Sequence, residues 1–179
     1  KKVLLFFGMI KRIKGLEILL EALAKVKDPD ILLVIAGKTW EDDFSIYQDI
    51  IDKHDLNQYC IIRNQYIPSE DVNHYFSVAD LVVLPYRRIS QSGVLMMAVS
   101  YQKAVLCSDL EPFKEVVVDS KTGFLFKSEN VDSLAENITF IFNDEALLKK
   151  VSIDGFNLIN TQYNWIAIGE LLKNVYKSM

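Results

Sequence analysis

The segment VLLFFGMIKRIKGLEILLEALAKV, residues 3–26, constrains the fold more than any other part of the chain. An apolar run predicts a strand over residues 3–7, which stops at Gly8. A short cationic loop follows, with Lys11, Arg12 and Lys14, and Gly15 precedes a periodic helix. A strand that leads into a helix through such a loop places the loop at the carboxyl edge of a parallel sheet, where α/β sheets bind ligands. The cations and the helix N-terminus suit a phosphate; the alternative is a solvated turn that is merely basic.

Strand and helix patterns alternate over the first two thirds of the chain. Further apolar runs predict strands at 31–36, 59–63, 81–84, 104–107 and 123–126. Helical patterns lie at 16–26, 44–54, 70–79, 93–101 and 113–119, and Ser69 is the expected N-cap of the third helix. The strand runs are continuously apolar, as in strands covered by helices on both faces. The sequence therefore predicts an α/β fold: a doubly wound, Rossmann-like parallel sheet of about six strands.

The last third of the chain has no strand pattern. Helical periodicity covers 131–142, 145–160 and 165–176, so we expect one domain with an α/β core over about 1–128 and a helical tail over 129–179. Trp165 is expected to pack rather than project, and the expected buried positions of the tail are Leu134, Ile138, Ile141, Leu148, Val151, Ile168, Leu171 and Val175. The chain starts at Lys1 and enters its first strand at once, so we expect a domain of a longer protein.

Composition and missing motifs argue against several classes of protein. The net charge of −4 disfavours a general nucleic-acid binder, and no apolar run approaches the roughly 20 residues of a transmembrane helix. Cys60 and Cys107 lie in apolar runs and are interpreted as buried thiols, and His54 and His74 as helix-surface residues. The absence of GxGxxG and GxxxxGK[ST] argues against an NAD enzyme or a P-loop ATPase.

A second informative segment is LPYRRISQSGVLMMAVSYQKAV, residues 84–105. A strand ends at Pro85, and Gln91, Ser92 and Gly93 open a helix. Free N–H groups at a helix N-terminus bind anions, and a glycine lets a ligand approach the backbone. The alternatives are that Ser92 is a plain N-cap and that Gly93 relieves crowding. Two such helix starts at one sheet edge suit a diphosphate.

A third segment, SDLEPFKE at 108–115, links a strand to a helix. Glu115 is expected near the start of that helix, where a carboxylate either complements the helix dipole or contacts a ligand. The following KTGFLF, 121–126, is interpreted as a structural turn into a short strand.

Five blocks, in this order and spacing, resemble the C-terminal, donor-binding domain of nucleotide-sugar glycosyltransferases of the two-Rossmann-domain (GT-B) type, family 4 or group 1. The blocks are FFGMIKRIKGLEILLEAL, LVIAGK, FSVADLVVLPY, QSGVLMMAVSYQKAVLCSDLEPFKEVV and TGFLFKSENVDSLAENI. The resemblance implies a uridine- or guanosine-type sugar nucleotide in a cleft between two domains, and transfer with retention of configuration. The acceptor site and part of the catalytic machinery, including any base, are expected on an N-terminal domain absent from this chain.

The resemblance also implies roles for single residues. Gly8 and the basic loop match the diphosphate-binding turn of the family, and Lys14 matches its phosphate-binding lysine. The family commonly has an arginine directly after the first glycine, where this chain has Met9. We therefore expect Lys11 or Arg12 to supply the missing positive charge.

The remaining matches concern positions that contact the nucleobase, the phosphates and the sugar of the donor. Tyr66 and Ile67 match the segment that meets the nucleobase, and Gln91, Ser92, Gly93, Val94 and Glu115 match donor-binding positions. Two glutamates that often bind the sugar and the ribose in the family fall on Ile89 and Met97, and methionine cannot accept a ribose hydrogen bond of ordinary strength.

The expected function is transfer of a glycosyl group, of the hexosyl type, from a nucleotide sugar to an acceptor hydroxyl in polysaccharide or glycoconjugate synthesis, without a cofactor or metal ion. Expected partners are the nucleotide sugar, the N-terminal domain of the same protein and a membrane-associated acceptor, in the cytoplasm or at the inner face of the membrane; nucleic acid is not expected. One alternative is a non-catalytic GT-B relative that acts as a partner or scaffold subunit. Another is a sugar-nucleotide epimerase of the same fold.

Overall fold

The sheet has six parallel strands and reverses its order once. The structure, a computed structural model, describes residues 1–40 and 43–178. The strands are β1 (Lys2–Phe7), β2 (Ile31–Ala36), β3 (Cys60–Arg63), β4 (Leu81–Leu84), β5 (Ala104–Ser108) and β6 (Phe124–Phe126). Their order is β3-β2-β1-β4-β5-β6, and every neighbouring pair is parallel. The predicted doubly wound α/β fold is confirmed.

Helices cover both faces of this sheet. They are α1 (Leu16–Val26), α2 (Ser45–Lys53), α3 (Val72–Val78), α4 (Gly93–Ser100), α5 (Glu111–Lys114), α6 (Val131–Asn143), α7 (Glu145–Gln162) and α8 (Trp165–Ser178). In β1, Leu4 and Phe6 join the apolar cluster under α1, α2 and α6, whereas Leu5 and Phe7 join the cluster under α3, α4 and α5. Burial on both faces explains why the strand runs are continuously apolar.

The start of α3 differs from the prediction. The helix begins at Val72, and its N-cap residue is Asp71 without a side-chain cap bond. Ser69 is not the cap, because the backbone N–H of Asp71 bonds to the carbonyl of Pro68 at 3.0 Å and closes a turn before the helix.

The fifth helix is shorter and earlier than predicted. It covers only Glu111–Lys114, with Pro112 in its first turn, where proline is favourable. The chain then turns back, because the N–H of Val118 bonds to Thr122 Oγ1 at 2.9 Å instead of continuing the helix. Glu115 lies at the C-terminal end of α5, so the interpretation of its carboxylate as a complement to the helix N-terminus is wrong.

The tail packs back on the core through α6 and α7. Of the predicted positions, Leu134, Ile138, Ile141 and Val151 are fully buried, whereas Leu148 and Ile168 are half-buried. Val175 is exposed together with Leu172 and Tyr176, so its predicted burial is wrong. The predictions for Trp165 and Leu171 concern side chains outside the described residues. Within residues 1–40 and 43–178, no helix combines the length and the apolar character needed to cross a membrane.

A close backbone contact joins the loop after β1 to the loop after β4. Gly15 has φ +66°, and a Cβ atom built on it would lie 2.0 Å from the carbonyl oxygen of Pro85. Beside it, the N–H of Arg87 donates to the carbonyl of Ile13 at 2.9 Å. Only glycine fits this crossing, since it lacks the Cβ atom and tolerates a positive φ.

Replacing Gly15→Ala should therefore lower the free energy of unfolding by about 2–4 kcal/mol, the sum of left-handed strain and the displacement of Pro85. The matched control is Gly169→Ala in α8, where an added Cβ meets nothing within 4 Å; there the change should be stabilising by at most about 1 kcal/mol. Urea unfolding of both variants measures the difference. Equal urea midpoints for Gly15→Ala and the wild type would show that the crossing does not need glycine.

Candidate functional site

The candidate site lies where the strand order reverses. β1 and β4 are adjacent in the sheet, and the loops that follow them leave the same carboxyl edge. One loop leads through a 3₁₀ turn at Arg12–Lys14 into α1, and the other leads into α4. This is the position at which open α/β sheets bind ligands.

Gly8 is the meeting point of the two loops. Its φ is +90°, and its N–H donates to the carbonyl of Ala36 at 2.8 Å. A Cβ atom on Gly8 would lie 3.2 Å from Lys14 Nζ and 3.3 Å from Val94 Cγ2. The fold thus brings the Lys14 ammonium and the first turn of α4 together over one glycine.

Lys14 is a half-buried cation. Its Nζ lies 5.4 Å from the centre of the Tyr86 ring. Burial and, to a smaller extent, repulsion from Lys11 lower the pKa of Lys14 from 10.5 to about 8. Over the described residues, no carboxylate forms an ion pair with Lys14. The Tyr86 ring offsets part of the desolvation of the ammonium, but no described carboxylate neutralises its charge, and an incoming anion would do so.

Ser92 and Gly93, at the start of α4, have different structural roles. Ser92 Oγ accepts a hydrogen bond from Leu95 N at 3.1 Å, so Ser92 is the N-cap of the helix. Gly93 has no atom within 4 Å of an added Cβ and no positive φ, so the crowding interpretation is wrong. Apart from that of Leu95, which Ser92 caps, the amides of the first turn have no acceptor within the helix, and Gly93 borders open space. Gln91 precedes them on the exposed side.

The floor of the site was not predicted from the sequence. Tyr86 is 4% exposed and packs against Phe113, with 5.5 Å between ring centres. Ser108 Oγ, at the end of β5, donates to the carbonyl of Tyr86 at 2.6 Å. Burial raises the pKa of Tyr86, and the nearby Ser92 side chain opposes this only in part, so the phenol stays neutral. The available signal was a tyrosine directly after the strand-ending Pro85.

The other two cations of the first loop, Lys11 and Arg12, lie next to different residues. Lys11 Nζ lies 5.1 Å from the centre of the Trp40 ring and is near enough to Lys14 to lower its pKa. Arg12 is exposed and lines a small cavity with Glu17 and Tyr47. Lys11, rather than Arg12, therefore adds its charge to that of Lys14.

Tyr66 and Ile67 follow β3 at the same edge. The Tyr66 ring is 72% exposed, and Ile67 packs half-buried against the apolar cluster under α3. Asn64 ties this loop to the loop after β2, since its Oδ1 accepts from both N and Oγ1 of Thr39 at 2.8 Å.

Glu115 is exposed at the C-terminal end of α5. Its side chain is exposed, and its carbonyl accepts a hydrogen bond from the Tyr163 hydroxyl at 3.2 Å. The structure thus places Glu115 against the end of α7, and the contacts that define the Gly8 site do not include it.

The described cysteines and histidines give no indication of a nucleophile or a metal site. Burial raises the pKa of Cys60 to about 12 and also raises that of Cys107, so both stay thiols. His54 Nε2 lies 2.9 Å from Glu21 Oε2. Among residues 1–40 and 43–178, no three His, Cys, Asp or Glu side chains converge as metal ligands.

A cavity of about 710 Å³ lies at the opposite edge of the sheet. It is lined by the starts of β1, β4 and β5 and by α7. Two of its cations are already engaged: Lys2 Nζ donates to the carbonyl of Phe142 at 2.8 Å, and Lys103 Nζ to that of Ser77 at 3.1 Å. Size therefore does not identify the site: Lys14, which has no carboxylate partner in the part of the chain that the structure describes, and the open start of α4 both lie at the carboxyl edge.

Replacing Lys14→Met should stabilise the unliganded protein by about 1–3 kcal/mol at pH 7, because it removes a desolvated charge. The folded pKa of about 8 lies below 10.5, so the unfolded chain binds more protons between these values. The unfolding free energy of the wild type should therefore rise with pH in that window, and the advantage of methionine should shrink.

The exposed Lys121→Met is the matched control and should change stability by less than about 0.5 kcal/mol. Urea unfolding at pH 7, 8.5 and 10 measures both variants. A Lys14→Met protein that is less stable than wild type at pH 7 would contradict the desolvation argument.

Comparison with known proteins identifies the family. The model of the family "Glycosyl transferases group 1" matches residues 1–157. The putative glycosyltransferase YtcC of Bacillus subtilis is 28% identical over 190 residues, which cover 100% of this chain and 46% of YtcC. The chain thus spans about half the length of the curated relatives it matches.

Solved structures share the fold. The C-terminal domain of a glycosyl transferase group 1 family protein (LpcC) from Francisella tularensis has a TM-score of 0.84 and 21% identity, covering 92% of this chain and 87% of that one. Anabaena HepE in complex with UDP has a TM-score of 0.89 and 18% identity, covering 99% and 49%. With the family model matching most of its length, this chain belongs to the group 1 glycosyltransferases.

Proposed function

We propose that this chain is the donor-binding domain of a glycosyltransferase and that its Gly8–Lys14 loop and the start of α4 hold the diphosphate of a nucleotide sugar. The observation that carries the proposal is the Lys14 ammonium, half-buried over Gly8 without a carboxylate partner among the described residues. A diphosphate supplies the missing counter-charge and raises the pKa of Lys14 back towards its ordinary value. That HepE was solved with UDP is consistent with this ligand class.

The chemistry needs positive charge at this place. In glycosyl transfer the bond between the anomeric carbon and the diphosphate oxygen breaks, and its electron pair stays on the leaving diphosphate. The acceptor oxygen forms the new bond and loses its proton to a base. Lys14, Lys11 and the amides of Ser92–Val94 act on the leaving group, where negative charge develops. We propose that they do so without a metal ion.

The acceptor side belongs to the rest of the enzyme in this proposal. A preceding domain supplies the base and binds the acceptor, a growing polysaccharide or glycoconjugate that we place at the membrane. Closure of the two domains aligns donor and acceptor and excludes water. For that reason we expect the 179-residue chain alone to transfer no sugar.

The scaffold alternative is less favourable. One observation favours it: positions 89 and 97 hold Ile89 and Met97, which offer no carboxylate to a donor and pack half-buried against the cluster under α4. The Lys14 arrangement nevertheless costs folding free energy, and a protein without a ligand has no physical reason to maintain it. Binding therefore accounts for Lys14 and Gly93, whereas a purely structural role leaves both unexplained.

Replacing Lys14→Ala in the whole protein should weaken binding of a nucleoside diphosphate by roughly ten- to a hundredfold, because one charge-assisted contact contributes about 1.5–3 kcal/mol. Lys121→Ala, in the turn before β6, should leave the affinity unchanged. Calorimetric titration with uridine and guanosine diphosphates compares the variants. Equal affinities of Lys14→Ala and wild type would remove the anion site from this loop.

Replacing Gly93→Ala tests the open space beside the helix start. The fold accepts the methyl group, since nothing lies within 4 Å, and alanine favours the helix. The free energy of unfolding should therefore be unchanged or higher, while the affinity for the nucleoside diphosphate falls at least about fivefold through a loss of about 1 kcal/mol of contact. Unaltered affinity in a stable Gly93→Ala protein would show that no ligand approaches this backbone.

A further inference from the structure

Trp40 is a large aromatic side chain left 46% exposed at the carboxyl edge of the sheet. We propose that Trp40 is the platform on which the nucleobase of the donor stacks. This inference rests on the proposed function, because it assigns the ring-binding part of the same ligand whose diphosphate lies at Lys14.

The strand order gives Trp40 the right place. In the order β3-β2-β1-β4, the loop after β2 lies between the loop after β1, which contains the phosphate site, and the loop after β3. Trp40 belongs to this middle loop. A ligand that extends from Gly8 and Lys14 towards Tyr66 along the edge therefore passes Trp40.

Backbone hydrogen bonds hold the platform in position. Trp40 N donates to the carbonyl of Ile10 at 3.0 Å, and Ile10 N donates to the carbonyl of Lys38 at 2.9 Å. Thr39, the preceding residue, forms a parallel bridge with Ile10 and bonds to Asn64 through its N–H and hydroxyl. All three loops are thus joined at Thr39 and Trp40, and a ring carried on a fixed backbone loses less freedom when a ligand stacks on it.

The charges around the ring match one ligand class. Lys11 Nζ lies 5.1 Å from the Trp40 ring centre, and its charge is also felt at Lys14. A ligand at this site meets cations at one end and, next to them, an exposed indole. A nucleoside diphosphate carries both matching parts, an anionic diphosphate and a flat aromatic base, whereas inorganic diphosphate carries only the first. Stacking on an aromatic side chain needs no specific edge contact, because every base has a π-face.

The test compares two probes on the whole protein: inorganic diphosphate, and the tighter-binding of uridine and guanosine diphosphates. By calorimetry, Trp40→Ala should weaken the nucleotide about ten- to a hundredfold and leave inorganic diphosphate unchanged. Trp40→Phe, which keeps an aromatic face, should restore most of the nucleotide affinity. Phe140→Ala is the matched control, an aromatic side chain 54% exposed on α6, and should change neither affinity.

Each other outcome decides against one of the two proposals. Equal weakening of both probes by Trp40→Ala, or no weakening of the nucleotide, would overturn the platform while leaving the diphosphate site intact. If the wild type binds inorganic diphosphate as tightly as either nucleotide, the platform is likewise overturned and the diphosphate site stays intact. Failure of the wild type to bind any of these probes would instead refute the proposed function, and the platform with it.

Discussion

The direct packing of Gly15 against the carbonyl of Pro85 is the contact on which the candidate site depends. A second contact of the same kind occurs at Gly37, whose added Cβ would lie 2.0 Å from the carbonyl oxygen of Gly8. Through these two glycines the loops after β2, β1 and β4 touch backbone to backbone. Lys14 immediately precedes Gly15, so the crossing determines where its ammonium lies. Main-chain packing thus fixes the backbone of Lys14, and the Tyr86 ring lies under its ammonium.

This placement opposes stability and, under the proposed function, favours binding. A half-buried ammonium over an aromatic ring is worse off than in water unless an anion accompanies it. The surrounding structure nevertheless holds it there: Ser108 fixes the carbonyl of Tyr86, and Arg87 pairs with Glu17 of α1 at 2.9 Å. Such residues keep the site ready before a ligand arrives. Pre-organised charge of this kind is what stabilises a developing negative charge without rearrangement.

Local patterns predicted the elements well where burial decides the structure. β2, β4 and α1 have the predicted bounds, because continuous or periodic apolar runs end there at glycine, proline or polar residues. The errors lie where a local hydrogen bond overrode periodicity, as in the turn closed by Asp71 and the return of the chain at Val118. The loops of the site were predictable from their glycines and cations. Tyr86, Ser108 and Trp40 were not, because their roles arise from contacts between loops distant in sequence.

The glycines also separate what the fold requires from what it leaves open. At Gly15 and Gly37 an added Cβ collides with backbone, so packing alone explains the residue. At Gly93 the space is empty and the backbone is ordinary, so packing does not explain the residue, although alanine is the better helix former. Gly93 precedes Val94, and a Cβ atom built on Gly8 would lie 3.3 Å from the Val94 side chain and 3.2 Å from the Lys14 ammonium. An unexplained glycine and an uncompensated cation that meet at one sheet edge are both accounted for by a single anionic ligand.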